Sequence, residues 1–452
     1  MRITLGAPLL LSEIARVTNG NLCCEDDALI KHITTDTREL CEGDLFAAIK
    51  GKQFDGESFT REAKEKKAFL LSRINPVADI LVDNTVDALL SLAEFSNKNL
   101  PIILYKVGIT GSVGKSTTKD FLSILLSESF SVHTTDGNKN NEIGMPLTVL
   151  SAPLNCEAMV IEMGMNHLFE IERMSECLRP NLGIITNIGR AHIGNLGSRE
   201  NIAKAKMELL KGMDTGTVIV PHDEPLLHSI ENKITFSLRN KEADFFLGEE
   251  HDGSIAIYKN QNLICQEKFA LCEDHFKECL ISACAAATLC GLSGEEIKKG
   301  ISRISRENIR QFEIFRENIL FYADFYNSSP ESLIAGIEGI QRLYPSKKKS
   351  LLLGDMLELG TSSADIHREI GKSIPIVSFE NLFLFGKDAK EIGISAYEMG
   401  FDSKKIFVNT NITAPDVTAR QIRENCAAGE VVFMKASRGV MLERVLDLFS
   451  DE

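Results

Sequence analysis

Ile102-Ile103-Leu104-Tyr105-Lys106-Val107-Gly108-Ile109-Thr110 runs directly into Gly111-Ser112-Val113-Gly114-Lys115-Ser116-Thr117. The first part is an apolar run of strand length, the second a glycine loop, and a helix reads as opening near Lys115. That order of elements aims backbone N–H groups and the positive end of a helix at phosphate oxygens. Lys115 is then placed to reach the β- and γ-phosphates of ATP, and Ser116 to set its hydroxyl on Mg²⁺. The spacing is unusual. Phosphate loops have four residues between their glycines, whereas two separate Gly111 from Gly114 and five separate Gly108 from Gly114.

Outward from the loop, Ala158-Met159-Val160-Ile161, Leu182-Gly183-Ile184-Ile185-Thr186 and Thr217-Val218-Ile219-Val220 read as further strands, with helical stretches between the first ones. Such alternation predicts a mainly parallel sheet covered on both faces. Glu162 follows the first of these strands, so its carboxylate is expected at the sheet's C-terminal edge beside the loop, as a second metal ligand. This central ATP-binding region spans 101–309. Before it, short apolar runs such as Leu45-Phe46-Ala47-Ala48-Ile49 alternate with Gly-Asp and Asp-Gly turns, giving a small α/β domain over 1–100 that ends in a Leu100-Pro101 linker. Beyond it, Ser350-Leu351-Leu352-Leu353, Leu382-Phe383-Leu384-Phe385 and Val431-Val432-Phe433-Met434 predict a C-terminal, Rossmann-like α/β domain over 310–452. The fold class is α/β in three domains.

Composition narrows the function. At 452 residues, several domains are expected, and 44% hydrophobic with 25% charged residues is ordinary for a globular enzyme. A net charge of −14 argues against nucleic acid as a partner. No run is long and apolar enough for membrane insertion, and the first residues lack a secretory pattern. The 11 cysteines are odd in number and scattered, which fits reduced thiols and a cytoplasmic location. Cys279, Cys284 and Cys290 read as helix packing.

Thr110 and the seven residues after it match T-G-x-x-G-K-[ST]-[ST], and this resembles the Mur ligase family, which accounts for the odd glycine spacing. The resemblance runs nearly end to end. Gly137-Asn138-Lys139-Asn140-Asn141-Glu142-Ile143-Gly144 is similar to the family's stretch meeting the muramyl part of the substrate, implying substrate contacts for Asn140 and Asn141. Glu162-Met163-Gly164-Met165-Asn166-His167 and Thr186-Asn187-Ile188-Gly189-Arg190-Ala191-His192 match the segments whose Glu and final His are metal ligands, implying those roles for Glu162 and His192. Lys206, in Ile202-Ala203-Lys204-Ala205-Lys206, matches a lysine that is carbamylated in several members. Such a carbamate turns a cation into an anion able to hold a second Mg²⁺.

Two further segments resemble members that add D-alanyl-D-alanine to a UDP-N-acetylmuramoyl-tripeptide. Leu353-Gly354-Asp355-Met356-Leu357-Glu358-Leu359-Gly360, followed by His367, implies substrate contact for Asp355, and the Asp-Asn-Pro-Arg of the diamino-acid-adding relative is absent. Asp355 also reads as an N-cap with Glu358 three residues on in a capping box. Asp36-Thr37-Arg38, Gly43-Asp44-Leu45 and Phe54-Asp55-Gly56 are similar to the uridine-diphosphate-binding region, implying Thr37 and Arg38 as contacts. The chain departs from the family at Thr37 (usually Ser), at Glu57 (usually His) and through 323–329 (usually Asp-Asp-Ser-Tyr-Asn-Ala-Asn), where Asp324, Tyr326 and Asn327 survive. With Arg310 they imply catalytic, ATP-binding and dipeptide-binding roles, and Lys435 and Arg438 are expected to face the closed site. The resemblance implies a monomeric ligase that forms an acyl phosphate and then an amide, with closure of its domains excluding water. Two other readings stay open: a relative adding a single amino acid, and a nucleotide-binding regulator that has lost catalysis.

Overall fold

The computed structural model describes residues 1–51, 55–74, 76–269, 271, 273–305, 312–325 and 328–450. They build three sheets. The first is formed by β1 (Arg2–Leu10), β2 (Asn21–Leu22), β3 (Leu29–Thr34), β4 (Leu45–Ala47), β5 (Phe69–Ser72) and β6 (Ile80–Leu81), in the order β1-β3-β4-β5-β6-β2. Its four inner strands are parallel and its edge strands antiparallel. The helix Thr85–Lys98 closes this unit. It starts where Asn84 accepts hydrogen bonds from Val86 N and Asp87 N, the N-cap contact that satisfies otherwise orphaned donors.

The central sheet contains β7 (Tyr105–Thr110), β8 (Val132–Thr134), β9 (Ala158–Glu162), β10 (Leu182–Ile185), β11 (Thr217–Pro221), β12 (Lys233–Ser237), β13 (Phe245–Glu249), β14 (Ser254–Lys259) and β15 (Asn262–Lys268). Its order is β15-β14-β13-β12-β11-β10-β7-β9-β8. From β8 to β13 every pairing is parallel, and β13-β14-β15 form an antiparallel meander at one edge. The sequence signals expected the parallel part and gave no notice of β12 to β15, which lack long apolar runs. β7 carries the glycine loop at its end, and the chain leaves β7 for the edge strand β8 and then β9 on one side, and crosses to β10 on the other. The crevice at such a switch of direction, at the C-terminal ends of the strands, is where open α/β sheets bind ligands.

The third sheet contains β16 (Phe312–Arg316), β17 (Ile319–Asp324), β18 (Lys349–Gly354), β19 (Leu382–Phe385), β20 (Ile406–Asn409) and β21 (Val431–Lys435), in the order β16-β17-β21-β18-β19-β20. All pairings are parallel except the β16-β17 hairpin. β17 and β21 lie side by side with Asp324 opposite Lys435.

The three units are joined by different chemistry. The first and second share one apolar core, in which Ile14, Ile33 and Leu89 pack with Met145, Leu150, Ile171 and Leu178. Asn97 seals the seam by donating to Cys177 O (3.2 Å) and Leu178 O (2.7 Å). The third unit meets the second through polar contacts, among them Arg342 on Asp274 (3.0 Å) and Arg190 on Glu331 and Glu369, with Ile193 adding an apolar contact to the third unit's core. A continuous apolar core resists opening, whereas a polar junction resembles a transient interface, so the third unit is the one suited to move.

Candidate active site

The backbone around β7, β9 and β10 explains why the glycine loop has its form. Gly114 (φ 82°) stands at the N-cap of the helix Lys115–Leu126, in the left-handed region that glycine adopts without steric cost. At Gly111 (φ 149°), a Cβ would sit 1.8 Å from Thr186 Oγ1. Thr186 and Asn187, at the end of β10, brace the loop from that side. Thr186 Oγ1 donates to Val113 O (2.5 Å), Asn187 Oδ1 accepts from Val113 N (2.9 Å), and Asn187 Nδ2 donates back to Val113 O (3.0 Å). Ser112 Oγ accepts from Gly189 N (2.8 Å). Lys115 Nζ curls over the loop onto Gly111 O (2.8 Å) and Ser112 O (3.4 Å).

Ser116, one residue into the helix, donates to Glu162 Oε2 (2.7 Å), and Asn140 Nδ2 donates to Glu162 Oε1 (2.7 Å). Glu162 is the last residue of β9, paired in register with Ile109, which is why its buried carboxylate reaches the loop. These are hard oxygen donors. Among the described residues, no group of three or more His, Cys, Asp or Glu is arranged to hold a metal alone. A few protein oxygens completed by water and nucleotide phosphates is the habit of Mg²⁺, so the residues fit that ion.

The cleft over the loop is lined by residues 112–117 together with Asn140, Glu162, Thr186 and Asn187, and on the facing wall by Asp324, Ser329, Glu331, Ser332 and Lys435 from the third unit. Its volume is about 280 Å³. Lys435 Nζ lies 2.7 Å from Asp324 Oδ2, which fixes both at the ends of adjacent strands. His275, Phe276, Glu278 and Cys279, on the helix Asp274–Leu289, complete the lining. Cys279 packs in the apolar core as expected, its Sγ lies 3.6 Å from Gly114 O, and burial pushes its thiol up to about 12. Burial likewise lowers His275 from the ordinary histidine value.

Lys206 lies on the helix Arg199–Met207 and is 2% exposed. Burial first, and then the charge of Lys115, hold it well below the usual lysine range. That favours the neutral amine, the form able to take up CO₂ as a carbamate. His192 stands outside the cleft lining, with Nδ1 2.6 Å from Glu358 Oε2 of the third unit.

The other residues implied as substrate contacts also make local hydrogen bonds. Asn141 Oδ1 accepts from Ile143 N (3.1 Å) and Gly144 N (2.9 Å) at the start of the helix Gly144–Leu150. Asp355 does not open a capping box, because Glu358 has a left-handed backbone (φ 66°) and no α-helix begins there. Its oxygens accept instead from Lys387 N, Asp388 N and Ala389 N at 2.7–3.0 Å. His367, fully buried, accepts from Met356 N at Nε2 (3.0 Å) and so donates from Nδ1 to Ser363 O (2.7 Å), holding the same turn. Thr37 is buried in a short turn of the first unit, where its carbonyl accepts from Lys66 Nζ, and Arg38 forks onto Asp36 in solvent. Arg310, Tyr326 and Asn327 lie outside the described residues.

Sequence reasoning assigned no role to Thr186, Asn187 or Glu331. The first two carried a signal, since they end the strand next to β7. Glu331 carried none, because it comes from another sheet.

Comparison with known proteins agrees with this arrangement. Residues 109–287 match the Mur ligase middle domain, and residues 310–438 match the Mur ligase, glutamate ligase domain. The UDP-N-acetylmuramoyl-tripeptide--D-alanyl-D-alanine ligase of Bacillus subtilis is 34% identical over 96% of this chain and 97% of its own length. The ligase of the same name from Synechocystis is 30% identical over 93% and 92%. Among solved structures, MurF from Acinetobacter baumannii superposes with a TM-score of 0.85 at 25% identity, covering 98% of this chain and 99% of that one. MurF ligase from Thermotoga maritima in complex with ADP does so with a TM-score of 0.77 at 28% identity, covering 92% and 96%. With its phosphate loop, the Ser116–Glu162 pair and the third sheet closing over them, the chain belongs to the Mur ligase family.

Proposed function

We propose that this chain uses ATP to join D-alanyl-D-alanine to a UDP-N-acetylmuramoyl-tripeptide, a step of peptidoglycan precursor synthesis. The observation that carries the reading is the likeness to ligases of that name over 96% of the chain, which includes the flanking units that must choose the substrates. The neutral dipeptide-adding pattern at Gly354-Asp355 and the full-length match both favour a dipeptide over a single amino acid.

In this mechanism the tripeptide carboxylate attacks the γ-phosphorus of ATP, ADP leaves, and an acyl phosphate forms. The dipeptide amine then attacks the acyl carbon, and inorganic phosphate leaves with the amide formed. Lys115 and the N–H groups of 111–117 offset negative charge on the transferring phosphoryl group. Mg²⁺ would be held by Ser116 and Glu162, with His192 as a further ligand and carbamylated Lys206 able to hold a second ion, and would supply neutralisation of phosphate charge. Asp324 and Lys435 close the facing wall, so the reacting groups meet only when the third unit is docked and water is excluded. Arg310, Tyr326 and Asn327 keep the catalytic and substrate roles that the resemblance implies. We place the chain in the cytoplasm, a reading supported by free thiols at all ten described cysteines, and take it to act as a monomer. No helix among the described residues is long and apolar enough to cross a membrane.

The test is phosphate release by the purified chain given ATP, Mg²⁺, UDP-N-acetylmuramoyl-tripeptide and either D-alanyl-D-alanine or single amino acids. Release is expected only with the dipeptide and is expected to collapse in Lys115→Ala. Turnover with a single amino acid alone would replace the substrate assignment, and undiminished turnover in the variant would sink the site assignment.

A further inference from the structure

The segment after β10 is gripped at several points by the third unit. Arg190 N and Nε both donate to Glu331 Oε1 (3.0 and 3.2 Å), and its guanidinium also meets Glu369. Gly194 N donates to Glu358 O (3.2 Å), and Gly194 and Gly360 lie so close that a Cβ on either would meet backbone of the other within 3 Å. Between these clasps, His192 Nδ1 and Glu358 Oε2 stand 2.6 Å apart as a charge pair, with the buried Nδ1 not aligned for a hydrogen bond in this arrangement. Both residues hold left-handed backbones, φ 65° and φ 66°, which L side chains adopt only where surroundings impose them. Two strained residues therefore face each other across the junction, and one of them is His192, the candidate metal histidine, at the start of the turn Ile193–Leu196.

We propose that Glu358 is a positioning residue that orients His192 for the metal, so that the metal site is complete only when the third unit is docked. This rests on the reading of His192 as a ligand. A histidine bound to metal through one ring nitrogen commonly has its other nitrogen held by a carboxylate, which fixes the tautomer and the ring plane. Glu358 approaches Nδ1, leaving Nε2 as the ligand atom. Because the carboxylate belongs to a different unit from Ser116 and Glu162, the tightness of metal binding reports docking, and metal binding in turn favours the docked arrangement.

The experiment uses the full-length enzyme with ADP and titrates Mn²⁺ by electron paramagnetic resonance, comparing wild type with Glu358→Ala, Glu358→Gln, His192→Ala and the double variant His192→Ala/Glu358→Ala. Small-angle X-ray scattering on the same samples reads docking. Glu358→Ala is expected to weaken Mn²⁺ by about 10- to 100-fold, with Glu358→Gln intermediate because it keeps the side chain's shape and an acceptor oxygen beside Nδ1 but loses the charge. The double variant is expected to bind no more weakly than His192→Ala, and Mn²⁺ is expected to compact the wild type more than Glu358→Ala. Unchanged Mn²⁺ affinity in Glu358→Ala beside a clear loss in His192→Ala would overturn the positioning role alone. Additive losses in the double variant would do the same. Unchanged affinity in His192→Ala would overturn the ligand reading and this proposal with it.

Discussion

Gly194→Ala separates the folding of the central unit from the docking of the third. Gly194 lies in a short helical turn, Ile193–Leu196, and is not among the glycines with positive φ, so alanine suits its backbone. Helix propensity by itself favours the variant by up to about 1 kcal/mol. The added Cβ, however, would lie 2.4 Å from Gly360 N, 2.7 Å from Glu358 O and 2.7 Å from Leu359 C. All three are backbone atoms, which cannot swing aside as a side chain would. Relief requires the third unit to withdraw by the better part of an ångström, at a cost of about 1–3 kcal/mol for overpacking. The Gly194 N to Glu358 O hydrogen bond lengthens at the same time, which adds about 1 kcal/mol.

The propensity gain is present whether or not the units are docked, so it cannot offset the docking cost. The docking constant is therefore expected to fall by about two to four kcal/mol, roughly 30- to 1,000-fold. The midpoint for unfolding of the central unit should stay level or rise slightly. Small-angle scattering in the presence of ADP reads the first quantity, and urea unfolding followed in the central unit reads the second. A variant with wild-type scattering and turnover would show that the Gly194–Gly360 approach is not what limits docking, and the argument for a tight junction would fail.

Two further outcomes follow from local features. Phe169 is 65% exposed with φ 72°, and its backbone N–H is held by Glu208, so Phe169→Gly should relieve strain at little packing cost and raise stability by about 0.5–1 kcal/mol in urea unfolding; a loss of more than about 1 kcal/mol would mean that the ring is needed. Glu317 is held down to about 2 by the Arg423 fork (2.7 and 2.9 Å), so its contribution is present above pH 4.5 and is lost as pH falls from there to about 2. The pair is largely in solvent, so that contribution is about 0.5 kcal/mol, and the stability gap between wild type and Glu317→Gln should close by pH 2; a gap that persists there would assign it to packing of Arg423 on Phe449 instead.

The phosphate loop was legible because everything that makes it is local: an apolar strand, glycines at two forced positions, then a lysine and serine on the first turn of a helix. Glu162 was legible for a similar reason, since a carboxylate just past a buried strand must emerge at the sheet edge. Asn141 and Asp355 have a structural use beside the one their segments imply. Both occur in segments that resemble substrate-binding stretches, and in addition the first holds the turn leading into the next helix while the second accepts three N–H groups from residues 387–389. A side-chain oxygen near a turn carries the same local signature in either role. Glu331 and Glu358 were hidden for another reason. Their partners, Arg190 and His192, are more than a hundred residues away, and no spacing within one element announces a contact between two sheets.

Those same long-range contacts explain how a rigid loop can respond to a distant unit. Residues 186–194 form one strap. At its start, Thr186, Asn187 and Gly189 hold the phosphate loop through four hydrogen bonds of 2.5–3.0 Å. At its end, Arg190, His192 and Gly194 are held by Glu331, Glu369, Glu358 and Gly360 of the third unit. If the third unit withdraws, only the second set of contacts breaks, because the first lies wholly within the central sheet. The loop therefore keeps its shape for nucleotide in either arrangement, while the histidine at the far end changes its surroundings. Nucleotide binding and assembly of the reacting groups are thus separable events on one short segment, so ATP can enter an open cleft without being placed for hydrolysis.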